Sequence, residues 1–514
     1  MTIGLTPGCG EGSGPNKSQR GEIRFIIEEF LSNPTENAVQ LALMPAEEVE
    51  LYVEYGDVGE NPTQRTPLRT VAARTLVTFD LGGLLPDQGY VYRVHVRRPT
   101  TDEFVSRPKF PFRTLRRDRS ALFRFAYAAD SHITGRWVQA RCGSPDHMLT
   151  VQNFVRTLEN ILATESDFVV GAGDNFMTHL RLLQPCGELA ELGTGTVRTA
   201  EQADRRYEVA LSPELWGLVA RRLPFLTVLG NHDGEARFGD VDGSYGHFPD
   251  TRELSRRARM SHLPDPTKVY EGSEHGDLYY TFTSGDARFI ILDLMSGPED
   301  FPKTAADWTL GDKQLRWFEK VLKKNDRTWT FVFIEHLDGG VTNPDGKPLP
   351  YPGGPPGGYH YGRGGLRATR DRTLTSDFLG EQAVLQRLMR ENGADVVFHA
   401  HDHVAVAGEK KGPDGAGEGV YYVLGGQAAG DEGGPIWENL SWFREQYDYD
   451  GNGEADFLSN VNGARRPGFY RVTVHASDRV DIAFVGSDVT DPTMDGKVLF
   501  EFTINSDGTS SLPF

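Results

Sequence analysis

The sequence predicts an α/β chain with an all-β domain in front of it. Residues 23 to about 115 alternate apolar and polar side chains in short runs separated by Gly, Pro, Asn and Asp, the pattern of a small β-sandwich. From residue 122 the runs become wholly apolar and amphipathic helical segments lie between several of them, which implies a layered α/β domain. A length of 514 residues independently makes two domains the natural expectation. The divisions that follow are a flexible Gly/Ser-rich leader at 1–21, a β-sandwich at 22–116 and an α/β domain at 117–514, with "TLRRDRSA" (114–121) as the linker.

The front strands are "VQLALMP", "VELYVEYG", "RTLVTFDL", "GYVYRVHVRR" and "FPFRT". Within them "LLPDQGYVYRVHV" resembles the part of fibronectin type III-like domains in which a Tyr near a sheet corner packs beneath the connection. In the second domain "FRFAYAAD", "DFVVGAGD", "PFLTVLGNHD", "ARFIILDL", "TFVFIEH" and "DVVFHAH" read as buried strands. Helices are predicted over 151–163, with Val151, Phe154, Val155, Leu158 and Leu162 on one face, and over 312–324, with Leu315, Phe318, Val321 and Leu322. A third spans 380–393 and ends on Gly393. The tail, "VYYVLGG", "FYRVTVH", "VDIAFVG" and "LFEFTI", returns to strands and is expected to complete a second sheet.

Composition excludes several function classes. A formal net charge of −19 argues against general affinity for nucleic acid or anionic membrane, since both need a basic surface. No apolar run is long enough to span a bilayer, and the first 21 residues hold no apolar segment of the secretory type. Of the three cysteines Cys9 lies in the leader, so Cys142 and Cys186 are the internal pair. They follow two neighbouring strands into loops on one rim of the sheet, where a disulfide would staple the two loops; the alternative is two free thiols. Acidic charge, the front β-domain and this pair lean towards an exported, periplasmic or extracellular protein.

Several buried strands end in polar residues that no core would hold: Asp130 and His132, Asp174, then Asn231, His232 and Asp233, His336, and finally His401 and His403. Ligand sites of α/β proteins gather at the carboxyl ends of strands, where loops from different strands converge. Carboxylate, amide and imidazole donors suit divalent or trivalent transition metals of the Mn, Fe or Zn type. In "VVFHAHDHV" the histidines fall at every second position, so His399, His401 and His403 cannot share one role.

In this order these residues resemble the calcineurin-like metallophosphoesterases, whose pattern is D-x-H, G-D, G-N-H-[DE], a lone His and G-H-x-H. It reads here as Asp130-Ser131-His132, Gly173-Asp174, Gly230-Asn231-His232-Asp233, His336 and Ala400-His401-Asp402-His403, with Ala400 in place of the usual Gly. The resemblance covers roughly residues 120–505 and implies a four-layer αββα sandwich. It further implies a metal pair bridged by Asp174, with Asp130, His132 and His403 completing one site and Asn231, His336 and His401 the other. His399 then falls to a supporting or core role. Purple acid phosphatases and the alkaline phosphatase D group share the β-sandwich in front. The purple type also needs a Tyr three residues after the G-D aspartate, where this chain has Met177, so a tyrosinate–iron centre is not expected.

The expected function is hydrolysis of a small phosphoester by a metal-bridging hydroxide. His232 is the candidate proton donor to the leaving group, with Asp233 orienting its ring. Monoesterase and diesterase both remain open. The alternative class is a surface binding or adhesion protein on a phosphoesterase-like scaffold, which should have lost ligands that this chain keeps. Substrate contacts are looked for at His179 and in "YPGGPPGGYHYGRGG", at His360, Tyr361 and Arg363, against the alternative of a solvated Gly/Pro-rich lid. A remote structural calcium site is read in "DYDGNGEADFL", where Asp448, Asp450, Asn452, Glu454 and Asp456 supply alternating oxygens. Ser459 stands where a full loop of that type has Glu, and the alternative is an acidic turn.

Overall fold

The structure is a computed structural model that describes residues 22–178, 186–192, 197–235, 251–274, 276–298, 309–335, 381–401, 403, 405–410, 419–430, 462–464 and 466–512. Its centre is a pair of sheets packed face to face. The first runs Val498–Asn505, Arg479–Gly486, Gly468–His475, Leu122–Ala129, Phe168–Ala172, Phe225–Val228, Phe25–Ser32, Val39–Pro45, Val77–Leu81. The second runs Glu271–Gly272, Tyr280–Ser284, Ala287–Ile291, Trp329–Phe333, Val396–His399, Val420–Leu424, Ala405–Lys410, Asn462–Ala464.

Aromatic side chains fill the space between the sheets. Phe125 meets Phe289 at 5.3 Å and Phe331 at 5.5 Å, and Tyr127 meets Phe398 at 5.0 Å. The helices Pro145–Leu162, Ala200–Ala210 and Trp216–Ala220 cover the outer face of the first sheet, where Trp216 lies edge-on to Phe154 at 5.2 Å. Gly311–Lys323 and Glu381–Glu391 lie over the second. This is the expected four-layer arrangement. Covering both faces is why Phe168–Ala172, Trp329–Phe333 and Val396–His399 are buried at every residue and read as unbroken apolar runs. The first helix begins at Pro145, ahead of the predicted 151, because proline's fixed φ suits a first helical turn. Gly393, at φ +69°, follows the last helix in the left-handed conformation that helix ends favour.

One expectation is corrected. Of the four tail segments only Val420–Leu424 joins the second sheet. The other three form an antiparallel meander on the first sheet, through the pairing of Gly468–His475 with Leu122–Ala129. That meander covers what would otherwise be an open edge beside the central strand.

The front region forms a five-stranded sheet built on Val49–Asp57, Gly89–Arg97 and Val105–Arg113, facing the three strands Phe25–Ser32, Val39–Pro45 and Val77–Leu81 across an apolar core of their own. Those three strands also extend the central nine-stranded sheet, Ser32 pairing with Phe225. Tyr90 is buried, and its hydroxyl accepts from the Leu85 N–H at 2.7 Å, which ties the corner as expected. The 114–121 segment is anchored rather than loose: Arg116 pairs with Asp167 at 3.0 Å and Arg119 with Asp326 at 2.7 Å. Among the described residues no helix is long and apolar enough to cross a membrane.

Candidate metal centre

The carboxyl ends of the parallel strands from both sheets meet at one place. Leu122–Ala129 leads into Asp130, Phe168–Ala172 into Asp174, Phe225–Val228 into Asn231 and His232, Trp329–Phe333 into Glu335, and Val396–His399 into His401 and His403. At three of these exits the chain turns sharply. Asp130 (φ 48°), His132 (46°), Asp174 (48°), His401 (85°) and His403 (60°) all adopt the left-handed conformation that residues with a Cβ avoid. Such positions persist only where the surroundings fix them, and they concentrate at functional sites.

Backbone bonds supply that fixing. The Asp130 N–H donates to Ala172 O, His132 N–H to Asp174 O, and Ala400 N–H to Glu335 O, at 2.7–2.9 Å. Two carboxylates each spend one oxygen on a neighbouring loop: Asp130 Oδ2 accepts from the His401 N–H at 2.8 Å, and Asp174 Oδ1 from the His232 N–H at 2.7 Å.

The remaining donor atoms converge. His132 Nε2 lies 3.0 Å from His403 Nε2 and 3.2 Å from Asp174 Oδ2, and His403 Nε2 lies 3.8 Å from Asp130 Oδ1. One donor atom from each of Asp130, His132 and His403 lies within 4.8 Å of the others; the same holds for His132, Asp174 and His232, and for Asp130, Asp174 and Glu335. Asn231 Oδ1 is buried without a hydrogen-bond partner, an acceptor turned away from both water and protein donors. Imidazole nitrogens facing one another, clustered carboxylates and a bare amide oxygen together fit a metal and fit little else.

The structure thus assembles Asp130, His132, Asp174 and His403 as one set. Asn231 and His401 are buried at the adjoining strand ends. His336 lies outside the described residues, as do His179, His360, Tyr361, Arg363, Asp402 and the whole 448–458 loop. His399 takes no part in the donor groups; its ring packs against Tyr422 at 6.3 Å, and burial lowers its pKa to about 3, so it is neutral. Met177 is buried and turned by Arg206, whose Nη1 donates to the Met177 carbonyl at 2.6 Å.

His232 sits at the rim. Its side chain is 22% exposed, its Nε2 lies 3.9 Å from Asp174 Oδ2, and its ring stands edge-on to His132 at 5.2 Å. Asp233 is placed otherwise than the sequence suggested. Its carboxylate accepts from the N–H groups of Phe176 (2.7 Å), Met177 (3.2 Å) and Gly230 (3.0 Å), not from the His232 ring. It caps the 231–233 turn and ties it to the loop after Asp174. Burial, and after it the charge of Asp174, push its carboxyl up to about 8 despite those amides.

Two residues escaped the sequence reading. Glu335 is fully buried, and its carboxylate rests on Gly173, where any Cβ would collide with it. Its signal was an ionisable residue at the end of the apolar run "TFVFIEH". Gln427 is buried beside Ala129, with neither amide atom hydrogen-bonded. Cys142 and Cys186 form a disulfide with a Cα–Cα distance of 5.6 Å, joining the segments that follow His132 and Asp174.

A comparison with curated proteins finds no match. Among solved structures the chain is similar to PhoD, at 15% identity and a TM-score of 0.67, over 96% of this chain and 92% of that one. It is also similar to the purple acid phosphatase PPD1 from yellow lupin (Lupinus luteus) seeds, at 16% identity and a TM-score of 0.54, over 93% of this chain and 74% of that one. At such identities the likeness is one of fold. The profile of the calcineurin-like phosphoesterase family matches residues 123–405, more than half of the 514 residues and every strand end described above, and the protein belongs to that family.

Proposed function

We propose that the protein hydrolyses small phosphoesters at a two-metal centre. The observation that carries this is the convergence of Asp130, His132, Asp174 and His403 beside the unpartnered Asn231 oxygen. Asp174 would serve both metals, with Asp130, His132 and His403 holding one and Asn231, His336 and His401 the other. When bound, a pair of Mn, Fe or Zn ions neutralises phosphoester oxygens and lowers the pKa of water to supply a nucleophile at neutral pH.

This chain's residues do the rest. His132 and His403 bring ring nitrogens to the centre. Asp130 and Asp174 each hold a neighbouring loop amide with one oxygen and present the other. His232, partly exposed beside Asp174, is placed to give a proton to the departing alkoxide. Asp233 keeps the His232 turn locked against the Phe176–Met177 loop, a positioning role rather than a catalytic one. His179, His360, Tyr361 and Arg363 are the proposed substrate contacts, and Asp448 to Asp456 a separate structural calcium site. A disulfide near the site suits an oxidising compartment, so we place the enzyme outside the cytoplasm. The retained donor set argues against a binding protein on a spent scaffold.

Turnover of p-nitrophenyl phosphate and of bis-p-nitrophenyl phosphate, with added Mn²⁺ and after chelation, tests this reading. Hydrolysis of at least one ester that disappears with the metal is expected. Failure on both, with metal bound, would refute it, and the ratio of the two rates separates monoesterase from diesterase.

A further inference from the structure

The side chain of Glu335 is the least expected feature of the site. It arises from the second sheet, yet its carboxylate lies across the interface on Gly173 of the first; a Cβ on Gly173 would stand 1.7 Å from Oε2. Its own carbonyl accepts from the Ala400 N–H at 2.7 Å, immediately before His401. Glu335 therefore touches both halves of the centre. It has no exposed surface, and one of its oxygens lies within 4.8 Å of oxygens of both Asp130 and Asp174.

Three buried carboxyl groups within 4.8 Å of one another form an oxygen-rich cluster of the kind that divalent cations occupy. Two further observations point the same way. Asn231 Oδ1, in the turn whose next amide holds Asp174, is buried and unbonded. Gln427, paired with the residue before Asp130, is buried with both amide atoms unbonded. The polar groups bordering the cluster are therefore arranged for a ligand and not for one another.

We propose that Glu335 belongs to the metal-binding centre as its third carboxylate, supplied by the second sheet and admitted by the missing side chain of Gly173. This rests on the two-metal reading above and deepens it.

The test uses the full chain stripped of metal and titrated with MnCl₂, comparing wild type, Glu335→Gln and Asp174→Asn by calorimetry and by melting temperature. Glu335→Gln should weaken Mn²⁺ binding by about tenfold or more. The rise in its melting temperature on adding Mn²⁺ should shrink relative to wild type. A merely structural Glu335 would lower both melting temperatures alike and leave that rise and the Mn²⁺ affinity unchanged; this result overturns the proposal. Should the Gln variant not fold, Glu335→Asp, which keeps the charge and shortens the reach, is read by the same rise and judged by the same outcomes. If Glu335→Gln keeps its affinity while Asp174→Asn loses it, only the role of Glu335 fails. If both keep it, the metal-centre reading fails instead.

Discussion

Glu29 and Glu335 are both buried glutamates, and the protein holds them in opposite ways. Glu29, on a front strand, is met by the Arg107 guanidinium through two bonds of 2.5 and 3.0 Å. Glu335 is met by Asp130 and Asp174. In the front domain a buried charge finds its opposite within the fold, and the result is structure. At the strand ends three carboxylates are gathered within 4.8 Å of one another, in a cluster where a cation fits. The contrast separates the region built to be stable from the region built to act.

That contrast can be broken at several points. His232→Ala should slow alkyl phosphoesters by about 10²–10⁴-fold and nitrophenyl esters far less, with metal content unchanged; equal losses on both would remove the proton-donor role. Arg107→Ala leaves Glu29 buried and alone, and should cost about 3–5 kcal/mol in denaturant unfolding while the surviving folded protein keeps its metals. Loss of metal in that variant would show that the two regions are not separable.

A third point lies between them. Burial alone would raise the Glu208 carboxyl, but the nearby His262 ring, the bond to Arg205 and the charge of Arg74 outweigh burial and hold it at about 2. A carboxyl held below its usual 4.5 stabilises the fold above that pH and loses the contribution as pH falls towards 2. Glu208→Gln should therefore cost on the order of 2 kcal/mol at pH 7 and progressively less between pH 4.5 and 2; a gap that does not narrow in acid contradicts the pairing. The smallest effect is expected from calcium, which should raise the melting temperature of chelated wild type by about 2–4 °C and leave Asp450→Ala unmoved.

Much of the site was legible because its residues violate the pattern around them. Asp130, Asp174, Asn231 and His403 stand at the ends of runs otherwise apolar, and the sandwich behind them follows from those runs. What was not legible depends on contacts between distant parts of the chain. Glu335 is an unremarked neighbour of His336 until the other sheet places Gly173 beneath it. Asp233 looked like a partner for His232 because it is adjacent in sequence, whereas a tight turn at 231–233 directs its carboxylate inward to the Phe176 and Met177 amides. The joining of front strands and central sheet rests on a single pair, Ser32 with Phe225, which no local periodicity announces.

The central claim is that Asp174 organises a metal pair, and metal content measured together with turnover tests it most directly. Wild type purified with Mn²⁺ should carry two transition-metal ions per chain by mass spectrometry and hydrolyse a nitrophenyl ester. Asp174→Asn should lose bound metal and activity together while keeping the wild-type circular dichroism. Two tightly held ions and near-normal turnover in Asp174→Asn would contradict the account.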